Sequence, residues 1–186
     1  MYGLVNNAIR QQVIDQEGEA AWKEIVAQAQ LDIPEFDALT LYDDSTTIAL
    51  VSSIAAVREC EVATVLKEIG CYWIQYASTT SFANLLTLAG NDFEQVIAGH
   101  DDMHKVMKLS LTESTPPSFS IRRLDDGRFE ISYKSERAGL FPFVDGLFEG
   151  LAHRCNQKVT ILEFEQLSSS SAKWIMQVEA ASNQAA

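Results

Sequence analysis

The stretch Arg128-Phe129-Glu130-Ile131-Ser132-Tyr133-Lys134-Ser135-Glu136-Arg137 decides how the chain is read. Upstream of Pro116-Pro117 the apolar residues recur at helical spacing; here they alternate. In an extended segment, residues i, i+2 and i+4 share a face. Tyr133, Ser135 and Arg137 are therefore predicted to project together, with Lys134 and Glu136 turned away. Two hydroxyls and a planar five-donor guanidinium make a grip for a carboxylate or phosphate. A polar strand face that ends in a surface arginine is the plainer reading of the same residues.

Outward from this stretch, Phe119 and Ile121 supply a partner strand across Asp125-Asp126-Gly127, a hairpin signal. Gly139 to about Cys155 returns to helix, and Val159, Ile161 and Phe164 form a third strand whose alternation slips near Leu162. Ser168–Ser171 reads as a polar linker, Trp174, Ile175 and Val178 as a fourth strand, and 180–186 as a low-complexity tail. Before the prolines the chain is helical. One helix carries Val5, Ala8, Ile9 and Val13 and closes near Gly18; a second, roughly 19–30, carries Trp22, Ile25, Val26 and Ala29. Pro34 breaks the pattern, and a helical turn is expected around 35–39. Asp43, Asp44 or Ser45 can N-cap the next helix, with Ile48, Leu50, Val51, Ile54 and Val57 on its apolar face. Val62, Val65, Leu66, Ile69, Trp73 and Tyr76 mark a helix from Glu61, and the Gly70 inside it points to close approach by a backbone or a flat ligand. Phe82, Leu85 and Leu86 form a short helix ended by Gly90. Asn91 or Asp92 caps the last one, which runs through Val96, Ile97, His100, His104 and Met107 towards Leu111. The fold class is α+β: a helical N-terminal part packed on a C-terminal part with a four-stranded antiparallel sheet and helices.

The 186 residues suit a single domain with a sizeable core. A formal charge of −12 argues against nucleic acid and against an anionic membrane surface, both of which select clustered Lys and Arg. No apolar run approaches a membrane span and no basic-then-apolar leader opens the chain, so a cytoplasmic location is expected. Cys60, Cys71 and Cys155 show no paired spacing and support neither a disulfide framework nor a structural zinc site.

His100 and His104 stand four apart on one helix, which fits a two-histidine metal site or a core histidine with a chance neighbour. His104 is the better ligand candidate, because Val96, Ile97, Met107 and Leu111 put it on an apolar face; His100, after Gly99, is expected to be more exposed. His153 reads as solvent-facing. Trp73, with Tyr72 and Tyr76 beside it, lines a pocket or simply packs in a core. No Gly-x-Ser-x-Gly elbow, phosphate loop or dinucleotide fingerprint is present. An imidazole on an apolar helix, a later anion grip and abundant apolar lining together suit a flat, metal-containing dianion, and haem is one.

In its motifs the chain resembles the H-NOX (haem-nitric oxide/oxygen binding) family, especially its bacterial stand-alone members and the haem domain of soluble guanylate cyclase. The resemblance rests on Met1-Tyr2-Gly3-Leu4-Val5-Asn6, Tyr42-Asp43-Asp44-Ser45, Gly70-Cys71-Tyr72-Trp73, Asp102-Met103-His104, Pro116-Pro117-Ser118-Phe119 and Tyr133-Lys134-Ser135-Glu136-Arg137, in family order over nearly the whole length. It implies one domain over 1–186, with a helical subdomain to about 65, a haem-anchoring subdomain over about 66–180 and a tail at 181–186. Haem b would lie buried between them. His104 would be the axial iron ligand, Tyr133, Ser135 and Arg137 the propionate clamp, and Pro117 the residue that distorts the porphyrin. Asp44 would pair with Arg137, with the register of the adjacent aspartates Asp43 and Asp44 left open. Leu4, Val5, Trp73, Phe143, Val144 and Leu147 would line the distal face.

Oxygen-binding members carry a distal tyrosine a few residues beyond the arginine, where this chain reads Ala138-Gly139-Leu140-Phe141-Pro142-Phe143. The resemblance then implies a sensor, not an enzyme, that binds NO and CO, discriminates against O₂ and signals by weakening or breaking the Fe–His104 bond. The chain ends without an output domain, so signalling is expected in trans, to a histidine kinase, a diguanylate cyclase or a guanylate-cyclase-like protein. The rival readings are a peroxidase-like or gas-processing haem enzyme, for which a distal His–Arg pair is missing, and a haem-free scaffold.

Overall fold

The computed structural model describes residues 1–32, 35–80, 83–109, 111–113 and 115–181. Its helices are α1 (Gly3–Glu17), α2 (Glu19–Gln28), α3 (Asp44–Val57), α4 (Val62–Ala77), α5 (Ala83–Ala89), α6 (Phe93–Met107) and α7 (Phe141–Arg154). The strands β1 (Ser118–Arg123), β2 (Phe129–Lys134), β3 (Gln157–Gln166) and β4 (Ser171–Ala180) form one antiparallel sheet in the order β1-β2-β4-β3. This is the α+β arrangement that the change of period predicts.

Local chemistry sets the boundaries. Gly18 ends α1 at φ 88°, a backbone conformation open to glycine. Asp43 caps α3 by accepting from the Ser45 N–H, and Asp92 caps α6 by accepting from the Gln95 N–H. Gly127, at φ 82°, turns the β1–β2 hairpin. The slip near Leu162 is a β-bulge: pairing passes from Ile161–Met176 to Glu163–Ile175 and leaves Leu162 as the extra residue.

Several expectations need correction. Residues 35–39 hold no helix but end in a single hydrogen-bonded turn, in which the Thr40 N–H donates to the Asp37 carbonyl at 3.2 Å and the Asp37 carboxylate accepts from the Leu39 N–H, which gives the backbone an alternative to helix. Ile48 (63% exposed) and Val62 (43% exposed) lie off the apolar faces assigned to them: Ile48 sits about 120° round α3 from the buried Ile54, and Val62 is the first residue of α4. α7 begins at Phe141 rather than Gly139, which sits in a left-handed turn at φ 77°. Ala180 belongs to β4 rather than to a tail. Pro34, Phe82 and residues 182–186 lie outside the described residues.

Among the described residues, most of the buried apolar side chains fall into two clusters. Ile9 and Val13 of α1 pack with Trp22 and Ile25 of α2, Leu50 and Ile54 of α3, and Val65 and Ile69 of α4. Phe129, Ile131, Ala172, Trp174 and Met176 of the sheet pack with Phe93, Val96 and Ile97 of α6 and with Val144, Phe148 and Leu151 of α7. Trp174 is fully buried, and its indole N–H donates to Asp145 Oδ1 on α7 at 2.7 Å, so the sheet's largest side chain brings no unpaired donor into the core.

α4 joins the clusters through contact of its backbone with that of α7. A Cβ at Gly70 would strike the Phe143 carbonyl oxygen, one at Gly146 the Lys67 carbonyl oxygen, and one at Gly150 the Cys71 carbonyl oxygen. Of the two alternatives at Gly70, close backbone approach is the one observed. Gly146→Ala is expected to force the helices apart at a cost of about 1–3 kcal/mol. Urea unfolding would show it as a lower midpoint with an unchanged slope.

Candidate haem site

Residues from both clusters enclose one cavity with about 1300 Å³ of unfilled space, its mouth included. Leu4 and Val5 come from α1, Thr47 and Val51 from α3, Trp73 from α4, His100 and His104 from α6, and Phe143, Val144 and Leu147 from α7. Pro116 and Pro117 bring in the segment before β1, and Tyr133, Ser135 and Arg137 the end of β2 and the turn after it. Every residue that the sequence reading placed at the haem thus lines this one space.

α6 carries His104 in its last turn. Its N-terminus is held by the Asp92 cap and by Gln157 of β3, whose Oε1 accepts from the Phe93 N–H at 2.8 Å. Phe93, Val96 and Ile97 press the helix onto the sheet. Burial pushes the His104 imidazole down to about 4, helped by the neighbouring His100, so at neutral pH it is an uncharged base with a lone pair to give. His100 is not the more exposed of the pair. Its side chain is only 14% exposed and packs edge-on against Phe119, with ring centroids 4.6 Å apart. Sequence periodicity alone could not find this, because the covering ring arrives from β1.

The anion grip forms, but not as one extended face. Tyr133 is buried in β2; the strand then ends at Lys134, and the chain turns so that the Arg137 N–H donates to Ser135 Oγ at 3.0 Å. The turn is pinned by Ser135 N–H to the Ser170 carbonyl (2.9 Å) and Gly139 N–H to the Ser169 carbonyl (3.0 Å). Arg137 lays Nε and Nη2 on Asp44, at 2.7 and 3.2 Å, which settles the register left open between the adjacent aspartates. That bidentate pair takes two of five N–H donors and orients the guanidinium. The Met1 backbone nitrogen also reaches Asp44 Oδ1, at 2.6 Å. Burial raises the Tyr133 hydroxyl above its ordinary value, with Ser135 and Arg137 opposing, so it stays protonated as a donor.

Trp73 faces the cavity, but Tyr72 and Tyr76 do not line it; Tyr72 instead donates its hydroxyl to Asp15 on α1 at 2.6 Å. His153 is exposed. Thr47, which no motif singles out, lines the cavity and donates to the buried Asn6 Oδ1 at 2.7 Å.

Comparison with known proteins agrees with this geometry. Residues 2–163 match the family model described as haem-NO-binding, and the chain belongs to that family. Its domains are haem-binding gas sensors rather than catalysts. Among curated proteins, soluble guanylate cyclase gcy-35 of Caenorhabditis elegans is 26% identical over 169 residues, covering 89% of this chain and 25% of the relative. The human guanylate cyclase soluble subunit beta-2 is 40% identical over 68 residues, covering 37% of this chain and 11% of the relative. The chain thus spans about a quarter or less of the length of these curated relatives. Among solved structures, an H-NOX protein from S. oneidensis in the Fe(II)NO state superposes with a TM-score of 0.83 at 20% identity, over 96% of this chain and 99% of that one. The Fe(II) unliganded H-NOX protein from K. algicida gives 0.80 at 18% identity, over 96% and 97%. Both show the fold.

The Asp44–Arg137 pair predicts a pH dependence. Its hydrogen bond from Arg137 holds the Asp44 carboxyl below the ordinary 3.8. A group with a depressed folded value stabilises fully above its unfolded value and stops doing so as pH falls through the folded one. Both partners are partly solvated, so Asp44→Asn is expected to cost no more than about 1 kcal/mol at neutral pH. In urea titrations that difference should disappear as pH falls below 3.8.

Proposed function

We propose that the chain binds haem b between a helical subdomain, about residues 1–65, and a haem-anchoring subdomain, about 66–180, with 181–186 as a tail, and that it senses nitric oxide. The observation that carries this reading is the shared cavity, with a neutral imidazole on one wall, a Tyr–Ser–Arg edge on another and apolar surface between them. The donor set fits the group: one imidazole for an iron, a cation and hydroxyls for propionates, and apolar walls for a porphyrin. The sequence contains no Cys-x-x-Cys-His, the arrangement for covalent attachment, which favours haem b.

Bound haem supplies an iron that takes a diatomic ligand and whose bond to His104 a bound NO weakens. His104, kept uncharged by burial, gives its lone pair. Tyr133 and Ser135 donate hydroxyl hydrogens, and Arg137 donates N–H groups while Asp44 fixes its plane. Pro117 lines the cavity and would press on a bound porphyrin, and Leu4, Val5, Trp73, Phe143, Val144 and Leu147 would exclude water from the ligand-binding side. O₂ on ferrous iron gains from a hydrogen-bond donor at its outer oxygen, whereas NO and CO need one less. α7 and the turn before it present Leu140, Phe143, Val144 and Leu147, none with a hydroxyl, and the Thr47 hydroxyl is given to Asn6. The Trp73 indole N–H tunes ligand binding without replacing a tyrosine.

Were the bond between His104 and a bound iron to weaken, α6, which carries His104 in its last turn, would be free to shift, and a partner in trans would read the change. That partner is a histidine kinase, a diguanylate cyclase or a guanylate-cyclase-like protein with a basic docking patch to match a chain of formal charge −12. Among the described residues no helix is long and apolar enough to cross a membrane, and a cytoplasmic setting suits this partner class.

Two experiments test the reading. His104→Gly is expected to lose haem and regain it with added imidazole; an unchanged haem spectrum would place the axial ligand elsewhere. Phe143→Tyr puts a hydroxyl on a cavity-lining position, and its ferrous form is expected to hold O₂ in air-saturated buffer where the unaltered protein does not. A stable oxy spectrum of the unaltered protein sinks the O₂-exclusion argument.

A further inference from the structure

Trp73 stands on the wall of the cavity, and two more oxidisable rings continue from it on α4. Residues three and four apart share a helix face. The Trp73 and Tyr76 ring centroids lie 6.3 Å apart with the planes 33° from parallel, and those of Tyr76 and Tyr72 lie 6.4 Å apart at 29°. The Tyr72 hydroxyl then donates to Asp15 Oδ2 on α1 at 2.6 Å, and Asp15 is exposed. Gln11 Nε2 donates to the other carboxylate oxygen at 2.7 Å. A row of one indole and two phenols therefore starts at the cavity and ends on a fixed carboxylate at the surface.

Indole and phenol rings lose a single electron far more readily than phenylalanine or aliphatic side chains, and rings in near contact pass it along. A phenol that loses an electron also sheds its proton, so it is oxidised most easily beside a base. Asp15 is such a base: the hydrogen bonds from Tyr72 and Gln11 hold its carboxyl below the usual range, so it is ionised at neutral pH. Burial and Asp15 together push the Tyr72 hydroxyl up, so it keeps its proton until the ring is oxidised. At Tyr76 burial also pushes the hydroxyl up, but there the nearby charge is the opposing cation Arg10. A missing electron is a local positive charge, which Arg10 repels from Tyr76 and Asp15 draws to Tyr72. Tyr133 also lines the cavity, with the Trp174 ring 6.1 Å away, but Trp174 is fully buried and that pair leads into the core.

We propose that Trp73, Tyr76 and Tyr72 form an electron route between the cavity and the surface, by which the protein, attacked by hydrogen peroxide, moves one of the two oxidising equivalents out of the cavity to Tyr72. This rests on the reading of the cavity as a haem site. Hydrogen peroxide takes two electrons and two protons to become two waters. Bound ferric haem supplies one of the electrons. Tyr72 supplies the other, passed through Tyr76 and Trp73. The phenolic proton of Tyr72 goes to Asp15 and on to solvent, and solvent supplies the two protons consumed in the cavity. Tyr72 is left as a neutral radical at the surface, where a one-electron donor of the ascorbate class restores it with a hydrogen atom. The oxidation is thereby kept from the side chains that line the cavity.

The test uses the full chain reconstituted with ferric haem, as the unaltered protein, Tyr72→Phe, Tyr76→Phe and Asp15→Asn. Each is mixed with an equimolar amount of hydrogen peroxide and frozen for electron paramagnetic resonance. The unaltered protein is expected to show a tyrosyl radical, whose hyperfine structure collapses when ring-deuterated tyrosine is incorporated. A nitroso spin trap and peptide mapping by mass spectrometry locate it, with the adduct expected on Tyr72. Tyr72→Phe and Tyr76→Phe keep each ring and are expected to lose that radical, while oxidation of the cavity-lining Met107 to its sulfoxide rises. Asp15→Asn keeps an acceptor for Tyr72 but no base, and its radical yield is expected to fall. Ferrous CO spectra identical to that of the unaltered protein show that the cavity of each variant is intact. An adduct on Tyr133 or Tyr2 in place of Tyr72, a Tyr72 adduct that persists in Tyr76→Phe, or an unchanged yield in Asp15→Asn overturns the proposal. Failure of the unaltered protein to take up haem overturns this inference and the proposed function together. Haem uptake with no radical on Tyr72 overturns the electron route alone.

Discussion

The backbone contact between α4 and α7 is the constraint on which the rest of the molecule depends. Gly70, Gly146 and Gly150 let two main chains meet where any side chain would hold them apart. The contact holds Trp73 of α4 and Phe143 and Leu147 of α7 on the wall of the same cavity. It also lets α4 serve both apolar clusters, giving Val65 and Ile69 to one and Ile74 to the other. Protein interiors pack to crystal-like density, so the helices that wall an unfilled space matter more than the space itself. The second brace is Arg137 on Asp44, which ties the turn between β2 and α7 to the first residue of α3.

Electrostatics then divides the cavity into a neutral end and a cationic end. At the α6 wall, burial keeps imidazoles uncharged, and an uncharged imidazole is the form that ligates a metal. From the end of β2 and the turn after it, a guanidinium joins two hydroxyls on the lining of a chain that is otherwise strongly acidic. Asp44 neutralises part of that charge, yet it also orients the guanidinium plane, so the site gives up some attraction for anions in exchange for direction.

Much of this was legible in the sequence, for identifiable reasons. Caps and breakers act locally, so Gly18, the Asp43–Ser45 turn, Asp92, Pro116-Pro117 and Asp125-Asp126-Gly127 mark element ends from their own chemistry. Alternation failing at Leu162 marks the bulge because a period of two tolerates no extra residue. The residues that line the cavity were legible mainly through the family's motifs, since no local rule brings Leu4 near Phe143. What stayed hidden depends on partners distant in sequence. The turn at Ser135–Arg137 is held by the β3–β4 loop, His100 is covered by Phe119 of β1, and Gly146 and Gly150 look like ordinary helix glycines until α4 lies across them. Tyr72, drawn to Asp15, shows the converse: a motif residue whose neighbour Trp73 faces the cavity while its own hydroxyl finds a partner elsewhere.

The central claim is that this cavity holds a ferrous haem that takes NO and refuses O₂. The most direct measurement is the visible absorption spectrum of the purified protein after addition of haem and reduction without air, followed by exposure to NO, to CO and to air in separate samples. The account predicts a Soret band that is absent in His104→Gly, shifts with NO and with CO, and in air gives no stable oxy form. A protein that takes up no haem, or one that forms a lasting oxy complex, would contradict it.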